Sequence, residues 1–256
     1  MDGIYSFFAD LKADFILNFV DLKADFILNF VDENRWKFIT SGLGNTIIIT
    51  FVALLIGVVL GVIVAIVRSS YDKTYNEMKN GFNKSLMWIA NAICKIYLTV
   101  IRGTPVVVQL MIMYYIIFAA SRNSLMVACL AFGINSGAYV AEIVRSGIMS
   151  IDEGQFEAGR SLGFNYTKTM RYIIIPQAFK NVLPALANEF IVLLKETSVA
   201  GYVTIRDLTM GGNIIRAATY SPFMPLIAVA LIYLVMVMFF TKLVGILERR
   251  LRRSER

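Results

Sequence analysis

From Thr46 to Val67 the chain reads TIIITFVALLIGVVLGVIVAIV, about twenty-two residues without a charge. At 1.5 Å rise per residue, that length crosses a hydrocarbon core of about 30 Å, so it predicts a first membrane span over 46–67. Arg68 then opens a hydrophilic stretch to about Ser85. Leu86 to Ile101 is apolar but holds Lys95, and Arg102-Gly103-Thr104-Pro105 interrupts the pattern before Val106 to Ala120. Proline and glycine end helices, so the spacing predicts a short interfacial helix feeding a second span over 105–120. Beyond a turn at Ser121 to Asn123, the apolar runs predict spans over 124–144, 182–202 and 223–245, the last free of charge until Lys242. The expected fold is all-α, a polytopic membrane protein with five transmembrane helices. A membrane domain over 45–247 would carry an amino-terminal segment, 1–44, and a basic tail, 248–256.

Composition narrows the function classes. With 57% apolar residues and a mean hydropathy of +0.66, the chain is richer in apolar residues than soluble domains, which average about 45–50%. It has no histidine, which excludes histidine-activated nucleophiles and disfavours a zinc site. Cys94 and Cys129 lie far apart in apolar or interfacial segments and read as reduced packing residues. No Gly-x-x-x-x-Gly-Lys-Ser/Thr phosphate loop occurs, so the chain is not its own P-loop ATPase and is expected to bind no cofactor.

The formal charge of +7 would suit nucleic acid, but the positive residues flank apolar spans. With the carboxyl end placed in the cytoplasm, fifteen Lys and Arg fall on inward segments and seven on outward ones. That bias follows the positive-inside rule and predicts an outward amino terminus. Before Asn45, Asp10–Val20 and Asp21–Val31 are identical copies of DLKADFILNFV. Eleven residues make three helical turns, so both copies would present Leu, Phe and Ile on nearly one face. The repeat reads either as an amphipathic helix on the outer membrane face, with Trp36 as an anchor, or as a duplication without a role of its own. Two Asp per copy argue against a cleaved signal peptide.

Polar residues inside spans are costly and mark pathways or packing. Gly57 and Gly61 form a small-xxx-small pair that either admits a neighbouring helix or reflects the frequency of glycine in membrane helices. On the third span Asn135, Ser136 and Tyr139 share a face that Glu142 extends inward; the stripe either lines a path or packs helices. The fourth span carries Glu189, Lys195 and Glu196, both signs of charge, as a site for a zwitterion requires. Glu189 and Glu196 share a face, while Lys195 lies on another. Lys195 and Glu196 read equally as caps of the outer helix end or as partners of a neighbouring subunit.

Between the third and fourth spans lies EAGRSLGFNYTKTMRYIIIP, Glu157 to Pro176, inside a polar loop over 150–178. Glu157 and Ala158 open a helical pattern, with Glu157 near the positive end of the helix dipole, and Gly163 can end it in the left-handed conformation. Ile173, Ile175 and Pro176 close a second pattern, giving helix, turn, helix. This order resembles the signature loop of ABC importer permeases, Glu-Ala-Ala, three residues, Gly, nine residues, Ile-x-Leu-Pro. Gly159 in place of the second Ala and Ile175 in place of Leu are the departures. Arg102-Gly103-Thr104-Pro105 through Gln109 resembles the Arg-x-Thr-Pro-x-x-x-Gln sequence of the polar amino acid branch. Leu193 to Val199 and Asn135 to Gly147 also resemble that branch, and the likeness runs from about Gly42 to Gly245.

The resemblance implies a permease subunit of an ABC importer for polar or charged amino acids, of the histidine, glutamine and arginine type, in the bacterial cytoplasmic membrane. It implies a non-enzymatic role, in which Glu157, Ala158, Gly159, Gly163, Ile173, Ile175 and Pro176 dock a separate ATPase that binds ATP and Mg. A second permease copy or a paralogue and an extracytoplasmic amino-acid-binding protein would complete the system. The competing reading is an ion-gradient-driven transporter or channel, with Glu142, Glu189 or Glu196 carrying protons.

Overall fold

The computed structural model describes residues 22–76 and 78–253. Among these residues it is all-α. The first copy of the repeat lies outside them. The second begins with a short helix, α1 (Leu22–Phe26), followed by a π turn over Ile27–Val31 and a 3₁₀ turn over Asp32–Asn34. Its anchor is polar: Asn29 is buried, donates to Ser221 Oγ at 3.3 Å and accepts from Thr219 Oγ1 at 2.8 Å. Phe30 packs beside it on the cluster of Ile39, Leu208, Ile215 and Val229.

The charge-free run becomes the centre of α2 (Trp36–Thr74), 39 residues and about 58 Å long, so it overshoots the hydrocarbon core at both ends. After a turn, α3 (Phe82–Gly103) has 22 residues, longer than a short interfacial helix. Lys95 suggested an interfacial position, yet it is exposed on the helix surface, where a flexible stem lets its ammonium reach water. The expected second span is α4 (Val106–Ile112) with a π turn over Met113–Ile117, too short to cross alone. Arg68 donates to Asn91 Oδ1 at 2.9 Å, Tyr97 donates to Ile134 O at 2.6 Å beside Gly137, and Tyr114 shares a hydrogen bond with Thr204. Helix α3 thus runs back along α2, and past the break at Thr104–Pro105 α4 packs against α5 and the 3₁₀ turn over Thr197–Val203.

The third expected span is α5 (Ser124–Met149), capped by Asn123, which accepts from the Met126 N–H at 3.0 Å. It packs along α2 as the main helix pair of the fold. The contact is close because the facing residues are small. A Cβ added to Gly57 would lie 3.0 Å from Ser136 Cβ, and one added to Gly61 would lie 2.6 Å from Val140 Cβ. The Gly57/Gly61 pair is therefore a helix-packing seam. A short α6 (Glu153–Ser161) and α7 (Tyr166–Thr169) follow. A π turn over Met170–Ile174 then joins α7 to α8 (Ile175–Glu196), and a 3₁₀ turn covers Thr197–Val203. The chain closes with α9 (Leu208–Thr219), capped by the buried Asp207, and α10 (Phe223–Arg253).

Four described helices are long and apolar enough to cross a membrane: Trp36–Thr74, Phe82–Gly103, Ser124–Met149 and, within α10, Phe223–Leu251. The expected fourth span begins earlier, as α8, and is not among them. Lys180, Glu189, Lys195 and Glu196 lower its hydropathy, and its buried face is turned to α5 and α2 rather than to lipid. The core around Ile49, Leu110, Phe132 and Leu193 ties α2, α4, α5 and α8 together.

Candidate functional site

The break after α3 explains why a glutamine stands four residues beyond Thr-Pro. Pro105 supplies no N–H, so carbonyls at the end of α3 lose their helical donors. Gln109 reaches back to them: its Nε2 lies 2.7 Å from Ile101 O, 3.0 Å from Thr104 O and 2.8 Å from Thr104 Oγ1. Its Oε1 accepts from Asn135 Nδ2 at 2.9 Å, which fixes the break to α5. Arg102, exposed at the end of α3, is thereby held over α5, where it pairs with Glu142. Its guanidinium sits 6.0 Å from the centre of the Tyr139 ring.

These groups line a cleft of about 480 Å³ between α3, α5 and α8. Arg102, Tyr139, Glu142, Ser146, Asn181 and Glu189 surround it. Glu189 is 8% exposed and accepts a hydrogen bond from Ser136 Oγ at 2.8 Å. The expected stripe on α5 therefore divides. Asn135 and Ser136 are buried and position Gln109 and Glu189, whereas Tyr139 and Glu142 face the cleft. Lys195 and Glu196 are not among the residues that line this cleft, whose cationic side chain is Arg102. Sequence reading placed Arg102 and Gly103 only at a helix break; the sign that it does more was an arginine beside a membrane span. The cleft thus holds one guanidinium and two carboxyl groups.

Below the cleft lies the loop between α5 and α8. Asp152, not Glu157, begins its first helix: Asp152 Oδ1 accepts from the Gly154 N–H at 2.7 Å, and Glu153 fills the first turn. Glu157 and Ala158 sit one turn further on and are exposed. The cap shifts the start because an Asp side chain satisfies an orphan N–H that Glu157 cannot reach. Gly163 has φ +75°, and its N–H donates to Arg160 O at 2.8 Å, ending α6. Pro176 stands in the first turn of α8, where a missing N–H costs least, so it opens that helix rather than closing the one before. Ile173 is half-buried, while Ile175 and Pro176 are exposed.

Gly159 is buried against Thr169, whose methyl and hydroxyl take the space an alanine Cβ would fill. That explains the glycine at this position. The loop is fastened to the helices around it by Lys73–Glu153 at 2.6 Å, Gln177 Nε2 to Gln155 Oε1 at 3.1 Å and Asn181 Nδ2 to Ser150 Oγ at 2.9 Å. Burial pushes the Tyr166 phenol above its ordinary pKa, partly offset by its hydrogen bond with Ser70. Tyr166, the π turn and α8 form one helical path of about 45 Å, from the loop past the cleft at Glu189.

Residues 82–253 match the family described as binding-protein-dependent transport system inner membrane component. The chain belongs to that family. It is 37% identical over 221 residues to the arginine transport system permease protein of Bacillus subtilis, covering 85% of this chain and 94% of that one. It is 37% identical over 169 residues to the glutamine transport system permease protein of Escherichia coli K12, with 64% and 77% covered. Among solved structures it is similar to an amino acid ABC transporter crystallised with histidines. There the TM-score is 0.74 at 41% identity, over 86% of this chain and 98% of that one. An inward-facing methionine ABC transporter, at 18% identity and TM-score 0.64, shows the same fold.

Proposed function

We propose that this chain is the membrane subunit of an ATP-driven importer of polar or charged amino acids. The observation that carries the reading is the helical path from Tyr166 to Glu196. It joins the exposed loop, whose order matches an ATPase-docking signature, to the cleft that holds Arg102, Glu142 and Glu189. In this reading the Lys and Arg bias sets the amino terminus outside and the loop in the cytoplasm, where a separate ATPase subunit binds ATP and Mg. Glu157, Ala158, Gly159 and Gly163 form the docking face, and Ile173, Ile175 and Pro176 carry its displacement into α8. A second copy or a paralogue faces the cleft, and an extracytoplasmic binding protein delivers the amino acid.

The cleft suits the cargo chemically. Arg102 offers a fork of donors to a carboxylate, and Glu189 offers a buried negative charge to an ammonium or guanidinium. Arginine and glutamine uptake by the relatives supports this class of cargo. Motion of α8 relative to α5 would change the Ser136–Glu189 contact and so couple ATP-driven closure to substrate affinity.

Uptake of labelled arginine, glutamine and glutamate into proteoliposomes that hold the chain with its ATPase and binding protein tests the proposal. ATP-dependent uptake should occur, Glu189→Gln should reduce cationic cargo most, and Gly163→Pro should abolish uptake while the protein still inserts. Proline cannot adopt φ +75°. Uptake driven by a proton gradient without ATP would overturn it in favour of an ion-coupled carrier.

A further inference from the structure

A second cavity, of about 770 Å³, runs between α2 and α8 on the far side of α5 from the cleft's polar residues. Along α2 it extends from Val58 to Thr74, about 24 Å, more than the roughly 15 Å depth of one hydrocarbon leaflet. Its deep end is apolar, walled by Val58, Val62, Val182 and Leu186. Its other end is polar, with Ser70, Tyr166, Thr167 and Arg171. Ile66 and Phe179 line it and are each more than half exposed, so the groove opens sideways to the membrane. Its length and its lateral opening suit a single extended hydrocarbon chain.

We infer that this groove binds one anionic phospholipid, an acyl chain along Val62 and Leu186 and the phosphate at Arg171. The gradient from apolar to polar to cationic matches a lipid read from its tail to its headgroup. Arg171 lines the polar end of the groove and is exposed, with its guanidinium 5.6 Å from the Tyr172 ring centre, and a guanidinium offers a planar fork of donors to a phosphate. One basic side chain at a membrane surface favours an anionic over a zwitterionic headgroup by roughly five-fold. The site lies beside the loop helices rather than in the cleft. Its assignment to the cytoplasmic leaflet rests on the proposed topology, but the lipid preference does not.

The test is native mass spectrometry of the full chain, with whatever subunits accompany it, extracted in mild detergent from bilayers of equal phosphatidylglycerol and phosphatidylcholine. One phosphatidylglycerol should remain per copy, about five-fold over phosphatidylcholine. Val62→Trp, which fills the groove, should remove the retained lipid. Arg171→Gln should keep a lipid but lose the preference. Equal retention of the two lipids by the unmodified chain overturns the inference, even where Val62→Trp fails to fold. So does retention that survives Val62→Trp, or loss of a second protein copy together with the lipid, which would make the groove a subunit interface. None of these readouts needs ATP or amino acid, so a failure of transport and a failure of lipid binding remain distinguishable.

Discussion

Gly159→Ala should be damaging for a single-methyl change, although it lies on a small, largely exposed helix. The added Cβ would stand 2.6 Å from Thr169 Cγ2 and 2.7 Å from Thr169 Oγ1, against about 3.5–4.0 Å for unstrained contact. Thr169 is 2% exposed and branched at Cβ, so it has nowhere to turn. Overpacking of this kind costs about 1–3 kcal/mol, while alanine returns about 1 kcal/mol of helix propensity. A net loss of up to about 2 kcal/mol, borne by the contact between α6 and α7, should weaken ATPase association by up to about 30-fold, read by equilibrium binding in detergent. Thr169→Ala removes both clashing atoms. Thr169 Oγ1 has no hydrogen-bond partner among the described residues, so its loss strands nothing. The double variant should therefore bind the ATPase nearly as the parent does. Normal binding by Gly159→Ala alone, or a double variant no better than the single, would refute the packing account.

Other outcomes test the remaining structure. Gln109→Leu strands the Ile101 and Thr104 carbonyls and the Asn135 amide, and should cost about 1–3 kcal/mol, seen as a lower Tm in detergent; Gln109→Glu should not rescue it, because an ionised carboxylate cannot donate. Gly61→Ala should lower Tm, whereas Gly44→Ala, where an added Cβ meets nothing within 4 Å, should leave it unchanged or raise it; equal effects would dismiss the seam between α2 and α5. Burial raises the Asp207 pKa against the lowering effect of the Met210 and Thr209 N–H groups. The folded state then holds that proton more tightly than the unfolded chain, so this contribution is present in acid and lost as pH rises through the raised folded pKa. Asp207→Asn keeps a capping oxygen and should flatten that part of the Tm profile above about pH 4, the ordinary aspartate pKa; an unchanged slope would remove Asp207 as its source.

The loop shows where sequence and structure part. Its landmarks were legible because Gly163 and Pro176 each have one narrow backbone use, and a φ of +75° at Gly163 is one of them. The starts of its helices were not, since Asp152 captures the Gly154 N–H through a local turn that competes with the Glu157 pattern. Lys95 misled in the opposite way: a charge in an apolar run weakens the span signal, but a long side chain can leave the lipid without shortening the helix.

By itself the sequence determined the membrane, the all-α class, the broken path at Thr104–Pro105 and the turn at Gly163, because charge-free length and the special backbones of glycine and proline are local properties; the loop's role came only from its resemblance to a known signature. Only the tertiary structure decided which charges meet. Lys195 and Glu189 are six apart along one helix, whereas Arg102 and Glu142 are forty apart and form the pair that lines the cleft. Their meeting depends on Gln109 holding the end of α3 to Asn135 and on glycines that let α2 and α5 approach, and such distances between elements are set by packing rather than by periodicity along the chain.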